Sequence, residues 1–212
     1  MRRFREIALK HIQGNMIIYF IVMMFFIIGI SAGAFTVKSL SDSHKQELIS
    51  YMRGFFSILI DRPINGFSVL KQSLANNLQT GALIWLLGVT VIGIPFILLL
   101  IAARGFIVGF TVGFLADQLG LKGALFSIIT ILPQNIIIIP GIIVVAVIGI
   151  GFSTMIIKNK VRKSYNSHND STLKQFILYS TIVLFLCGII SIGCLVEAYV
   201  TPVFMRLLSS YM

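Results

Sequence analysis

Residues 81–103, GALIWLLGVTVIGIPFILLLIAA, form an uncharged apolar run punctuated by Gly88, Gly93 and Pro95. A helix of roughly 20 apolar residues crosses the hydrocarbon core of a bilayer, and this run has that length. It is followed by Arg104 and by glycines at 105, 109 and 113, whose spacing of four puts them on one helix face. A face of small residues lets a neighbouring backbone approach closely. The run therefore places the chain in a membrane and marks a packing surface beside the first crossing it suggests.

The rest of the 212 residues agrees, with 57% hydrophobic and 11% charged residues and a mean hydropathy of +0.97. Soluble domains carry about 25% charged residues, and a soluble fold of this size has no way to cover so much apolar surface. One all-α, polytopic integral-membrane domain over residues 1–212 is expected. The formal charge of +10 does not point to nucleic acid, because the basic residues are dispersed between apolar segments and not gathered with stacking aromatics. Basic loops on such a chain orient it in the bilayer and meet anionic membrane lipids.

Five spans are expected, at 16–37, 81–103, 105–117, 136–157 and 176–196. The first follows Arg2, Arg3, Arg5 and Lys10 and carries an A-x-A pattern at Ala32 to Ala34. It reaches full spanning length, so it reads as a retained anchor, not a cleaved signal peptide. Residues 123–157 are apolar over a length too great for one simple crossing and contain Pro133, Asn135 and Pro140. Such residues at membrane depth need protein or a wet cavity around them, so 123–134 is expected to form a broken or re-entrant segment.

Residues 1–15, position 104 and residues 158–174 hold ten Lys and Arg in 33 positions, whereas 38–80, 117–122 and 197–212 hold seven in 65. The positive-inside rule then puts the amino terminus and the 158–174 loop in the cytoplasm, a short cytoplasmic turn at Arg104, and the carboxyl terminus outside. Residues 38–80 become the main extracytoplasmic segment. Within it Leu48, Met52, Phe55, Phe56 and Leu59 make one amphipathic stripe. Asp61-Arg62-Pro63 reads as a stop and restart, and Phe67, Leu70, Leu74 and Leu78 make a second stripe. These stripes either cover the outer ends of the spans or lie against lipid or another protein. Asn76 and Asn77 are expected at the entrance to the second span, as interface amides.

Chemistry-bearing patterns are absent. The seven acidic residues all fall outside the middle of the expected spans, so no intramembrane carboxylate is available to relay protons or cations. His11, His44 and His168 lie in separate polar segments, and neither a zinc motif, a nucleotide-binding loop nor a nucleophile elbow occurs. No catalytic residue, cofactor or metal site is expected. Cys187 and Cys194 are seven apart on one helix, about 10 Å along its axis, too far for a disulfide.

Two packing motifs remain. Gly105, Gly109 and Gly113, together with Gly88, Gly93 and Pro95 and the shorter pair Gly29 and Gly33, serve helix packing within the chain, docking of a partner, or association of copies. At Pro133-Gln134-Asn135 and Pro140, proline removes a backbone donor while the amides can satisfy freed groups; the motif is either a polar plug at a helix break or a shallow pocket.

Taken in order, Asn15, Gly29 and Gly33, Asn76-Asn77, Gly88, Gly93-Ile94-Pro95, Gly105, Gly109, Leu132-Pro133 and Pro140-Gly141 resemble the stage II sporulation protein M family over nearly the whole chain. The wider family commonly has Asn-Gly where this chain has Arg104-Gly105, and Pro-His-Gly with a following glutamate where it has Pro133-Gln134-Asn135 and Ile138. The Gln-Asn version is similar to the endospore-former branch. The resemblance implies a non-enzymatic scaffold in the mother-cell septal and engulfing membrane. It would hold two peptidoglycan-degrading partners, stage II sporulation proteins P and D, during forespore engulfment. A transport or export component, with the Pro133 segment lining a pathway, is the alternative.

Overall fold

The computed structural model describes residues 12–61, 66–161 and 169–202. Five helices make up the described chain: α1 (Met16–Ser39), α2 (Asp42–Asp61), α3 (Gly66–Val89), α4 (Gly93–Val161) and α5 (Asn169–Tyr199). α4 is one assigned helix but two rods, because Gly120 at its middle has φ 59 and ψ −140. Only glycine holds that conformation without strain. Around this hairpin a Cβ at Gly123 would run into the Leu115 carbonyl, so the 93–119 arm and the 121–161 arm fold back on each other.

Contacts fix the direction of every rod. Along α1 and the 93–119 arm, Phe26 meets Gly105, Ile30 meets Gly109 and Ala34 meets Gly113; both numbers rise together, so the two run parallel. α3 and α5 are antiparallel, with Ser73 bonded to Glu197 and Trp85 to Ser180. The 121–161 arm is also antiparallel to α5, since Gly141 touches Ile190 and Phe152 stacks on Tyr179 at 4.5 Å. Apart from α2, the rods therefore alternate up, down, up, down, up between two ends of a bundle. One end holds Met16 and the turn at residues 90–92; the other holds Gly66, Gly120 and Tyr199. The core between them is aliphatic, with Val22, Ile84, Ile97, Ile101, Val145, Ala146 and Ile190 all at 0–1% exposure.

Among the described residues three helices, Met16–Ser39, Gly93–Asn159 within α4, and Leu173–Tyr199, are long and apolar enough to cross a membrane. Their outward faces carry large apolar side chains such as Ile17, Phe35 and Leu184, each at least 70% exposed, as a helix facing lipid requires. The expected spans at 16–37 and 176–196 lie within α1 and α5.

The expected 81–103 span does not exist as one rod. Its first part closes α3, its last part opens α4, and Thr90 to Ile92 turn between them. Thr90 N–H donates to the Leu87 carbonyl at 2.9 Å and Gly93 N–H to the Thr90 carbonyl at 3.1 Å. Ser153 then donates to the Thr90 carbonyl at 2.8 Å, pinning the turn to the 121–161 arm. Pro95 sits in the first turn of α4, where a missing N–H costs nothing. Accordingly Arg104 is not at a turn: it lies 11 residues inside a helix, and the expected 105–117 span continues from 93.

The 38–80 segment divides as well. α2 stands apart, and no other described helix packs its backbone against it; Lys45 Nζ reaches Asp117 Oδ2 at 3.1 Å near the Gly120 end. The side chains of its expected stripe from Met52 onward, and the Arg62-Pro63 restart, lie outside the described residues. From Gly66 the chain enters the bundle. The apolar stripe expected on α3 is engaged only in part: Leu70 and Leu74 are half-buried against the core, Phe67 and Leu78 are exposed, and the fully buried face is Ser73, Asn77, Thr80, Gly81, Ile84 and Gly88.

The 123–134 segment is not broken, since helix continues through Pro133 and Pro140. Pro133 is half-buried and Pro140 exposed. The Asn135 amide donates to the Ile131 carbonyl at 2.8 Å, one turn back.

Candidate functional site: a polar chamber inside the bundle

The glycine seam comes first, because it determines what is left free. On α1 a Cβ at Gly29 would collide with the Ala102 carbonyl and one at Gly33 with the Phe106 carbonyl. On the 93–119 arm, Gly105 and Gly109 stand in the same relation to the Phe26 and Ile30 carbonyls, and Gly113 would place a Cβ 3.0 Å from Ala34 Cα. Each helix thus offers its small face to the other, with backbones in direct contact. Of the glycines expected to pack or dock, Gly105, Gly109 and Gly113 are engaged with α1 within the chain. Gly88 has a similar role against Gly149, whose Cα would lie 2.9 Å from an added Cβ.

Beside this seam lies a cavity of about 310 Å³, to which every described helix except α2 contributes. Its apolar wall includes Phe26, Ile101, Ile107, Ile138 and Ile142; its polar groups include Asn76, Asn77, Arg104, Gln134, Asn135 and Glu197. In sequence these polar groups are scattered between positions 76 and 197. α-Helical geometry brings them together: Asn77 lies 12 residues before the end of α3 and Arg104 11 residues into α4, on either side of the turn at 90–92, so the two rods carry them to similar height.

Arg104 Nη2 donates to the Asn76 carbonyl at 3.1 Å and to Thr80 Oγ1. Thr80 Oγ1 in turn donates to the Asn76 carbonyl at 2.9 Å. Ser73 Oγ donates to Glu197 Oε2 at 2.5 Å. The Asn77 amide donates to the Ser73 carbonyl at 3.1 Å and to Cys194 Sγ at 3.5 Å. Because a carbonyl requires a donor, this pairing settles which end of the amide is nitrogen. Asn77 Oδ1 is left without a partner although the residue is only 3% exposed. Thr201 Oγ1 donates to Gln134 Oε1 at 2.8 Å, tying the end of the described chain to the 121–161 arm.

Glu197 is the residue whose placement differs most from expectation. α5 stays helical through Tyr199, so this carboxylate, which lies just past the expected 176–196 span, turns inward toward Ser73. Arg104 and Glu197 line one cavity and act on each other electrostatically, yet the only ion pair among the described residues is Lys45 with Asp117. A second hollow lined by Ser68, Gln72, Ser73, Asn76 and Glu197 adjoins the chamber along the first turns of α3.

No group of three or more potential metal ligands occurs among the described residues. Cys187 and Cys194 are both free thiols, Cys194 buried.

The model of the stage II sporulation protein M family matches residues 22–202. No curated protein and no solved structure matches the chain.

Proposed function

Because this chain belongs to the stage II sporulation protein M family, a sporulation-related membrane protein, we propose that it is a non-enzymatic scaffold of the sporulation septum. It would hold peptidoglycan hydrolases, stage II sporulation proteins P and D, where the septal wall is thinned for engulfment. The observation that carries this reading is the division of labour within the fold. The small-residue seams close on themselves inside the bundle, while α2 remains a separate 20-residue helix packed on no other described helix. A helix whose backbone packs on no other described helix suits presentation to a partner.

The alternating rods support five crossings with the amino terminus in the cytoplasm. In that arrangement α3 and the two α4 arms replace the expected 81–103, 105–117 and 136–157 spans, and α2 lies outside the cell membrane. Basic residues at 1–15 and 158–174 remain on one side, so the positive-inside argument holds without Arg104.

A photo-crosslinking residue at Tyr51, which is 70% exposed, tests the docking assignment in sporulating cells. Capture of a hydrolase from Tyr51, with none from the lipid-facing position Leu184, is expected. A fluorescent fusion that fails to mark the septum, or depletion that leaves engulfment intact, would remove the scaffold reading. A second reading, a component of a transport or export complex, is favoured by the polar chamber; it requires Gln134 and Asn135 to be reached by membrane-impermeant thiol reagents after conversion to cysteine.

A further inference from the structure

We infer that the chamber is a binding site for a zwitterion carrying an ammonium and an acidic group, the chemistry of a phosphoethanolamine headgroup. The inference does not depend on the scaffold reading. It begins with groups whose bonding is incomplete. Arg104 spends one nitrogen on Asn76 and Thr80, and a guanidinium has five N–H donors. Glu197 receives Ser73 on one oxygen. Asn77 Oδ1, buried and unpartnered, adds an acceptor on the same cavity. Gln134 uses its oxygen on Thr201, leaving its amide nitrogen as a donor.

The chamber therefore sets both kinds of group around one space. Arg104 and the Gln134 amide offer donors that suit a phosphate or carboxylate, and Glu197 and Asn77 Oδ1 offer acceptors that suit an ammonium. An ion pair made directly between Arg104 and Glu197 would satisfy both charges, but the two form none. A charge at membrane depth without a close partner is costly, and a ligand bearing both opposite charges satisfies each without adding net charge. A simple anion would meet Arg104 but face Glu197, and a simple cation the reverse.

Two routes reach the site. Ile107, on the chamber wall, is 60% exposed, which gives a lateral apolar rim where the acyl chains of a lipid would lie. The polar hollow past Ser68 and Gln72 reaches Glu197 from the Gly66 end and would admit a soluble zwitterion.

The test uses the full chain purified into nanodiscs of mixed phosphatidylethanolamine and phosphatidylglycerol, with retained lipid identified by native mass spectrometry and glycerophosphoethanolamine titrated as the soluble probe. Retention of phosphatidylethanolamine over phosphatidylglycerol by at least tenfold is expected, falling to near parity in Glu197→Gln. In Arg104→Gln retention of both should fall. Binding of glycerophosphoethanolamine without lipid retention would uphold the site and assign the soluble route. Equal retention of the two lipids with no binding of the soluble probe would overturn the proposal. So would a folded Glu197→Gln protein that discriminates as the parent does; its thermal transition is the folding control, and being isosteric it stands where Arg104→Gln fails to fold.

Discussion

Two seams of this bundle solve the same problem differently. Where α1 meets the 93–119 arm, glycines remove the side chains and backbone lies on backbone. Where α3 meets α5 and the arms, side chains are polar and bond one another around a cavity. Lipid tails are as apolar as a leucine, so helices in a bilayer gain little from hiding apolar surface and associate through close packing or hydrogen bonds. The first seam is a packing contact that admits no substitution; the second keeps open volume and unsatisfied groups, which a purely structural seam has no reason to retain.

The comparison is sharpest at Gly109. Any side chain there meets the Ile30 backbone carbonyl, and overpacking typically costs 1–3 kcal/mol, occasionally more. Gly109→Val should destabilise by about 3 kcal/mol, seen as a large drop in the thermal transition in detergent; a wild-type transition would break the account of the glycine seam. Next comes the hairpin: Gly120→Ala places a Cβ in a glycine-only conformation with open space around it, so the cost is backbone strain, of the order of 1–3 kcal/mol, and not a clash. The polar seam is expected to be softer. Asn77→Ala removes bonds to Ser73 and Cys194 but also an orphaned acceptor, and membrane side-chain bonds average about 0.6 kcal/mol, so a loss under about 1 kcal/mol is expected from unfolding measurements. A loss matching Gly109→Val would mean that the chamber is structural after all. Smallest is Lys45→Ala, about 0.5 kcal/mol or less for a surface pair, fading as salt is raised.

The two seams also differ in how legible they were. Gly105, Gly109 and Gly113 state their spacing in sequence, and their partners Gly29 and Gly33 show the same spacing, so a packing face could be read directly. The chamber could not, because its members are far apart in sequence and each has an ordinary local reading. Hydropathy also misled at one point: averaged over 81–103 it shows a single span, because Thr90, Val91 and Ile92 are apolar enough to hide a turn. The signal that would have found it was Pro95 beside Gly93, a helix-start pattern. On α3 the apolar stripe Phe67, Leu70, Leu74 and Leu78 is the face that a soluble protein would bury. In a bilayer the inward face is small and polar, as at Ser73, Asn77 and Thr80.

By itself the sequence determined the solvent, the helical class, the family and the glycine face, because these depend on composition and on spacing along one rod. Only the tertiary structure decided that helix passes unbroken through Pro133, that the chain reverses at Thr90 to Ile92 and at Gly120, and that Arg104 and Glu197 share a cavity. Those outcomes depend on which rods lie side by side, and a proline, a charge or an amide takes its meaning from the neighbours that satisfy it.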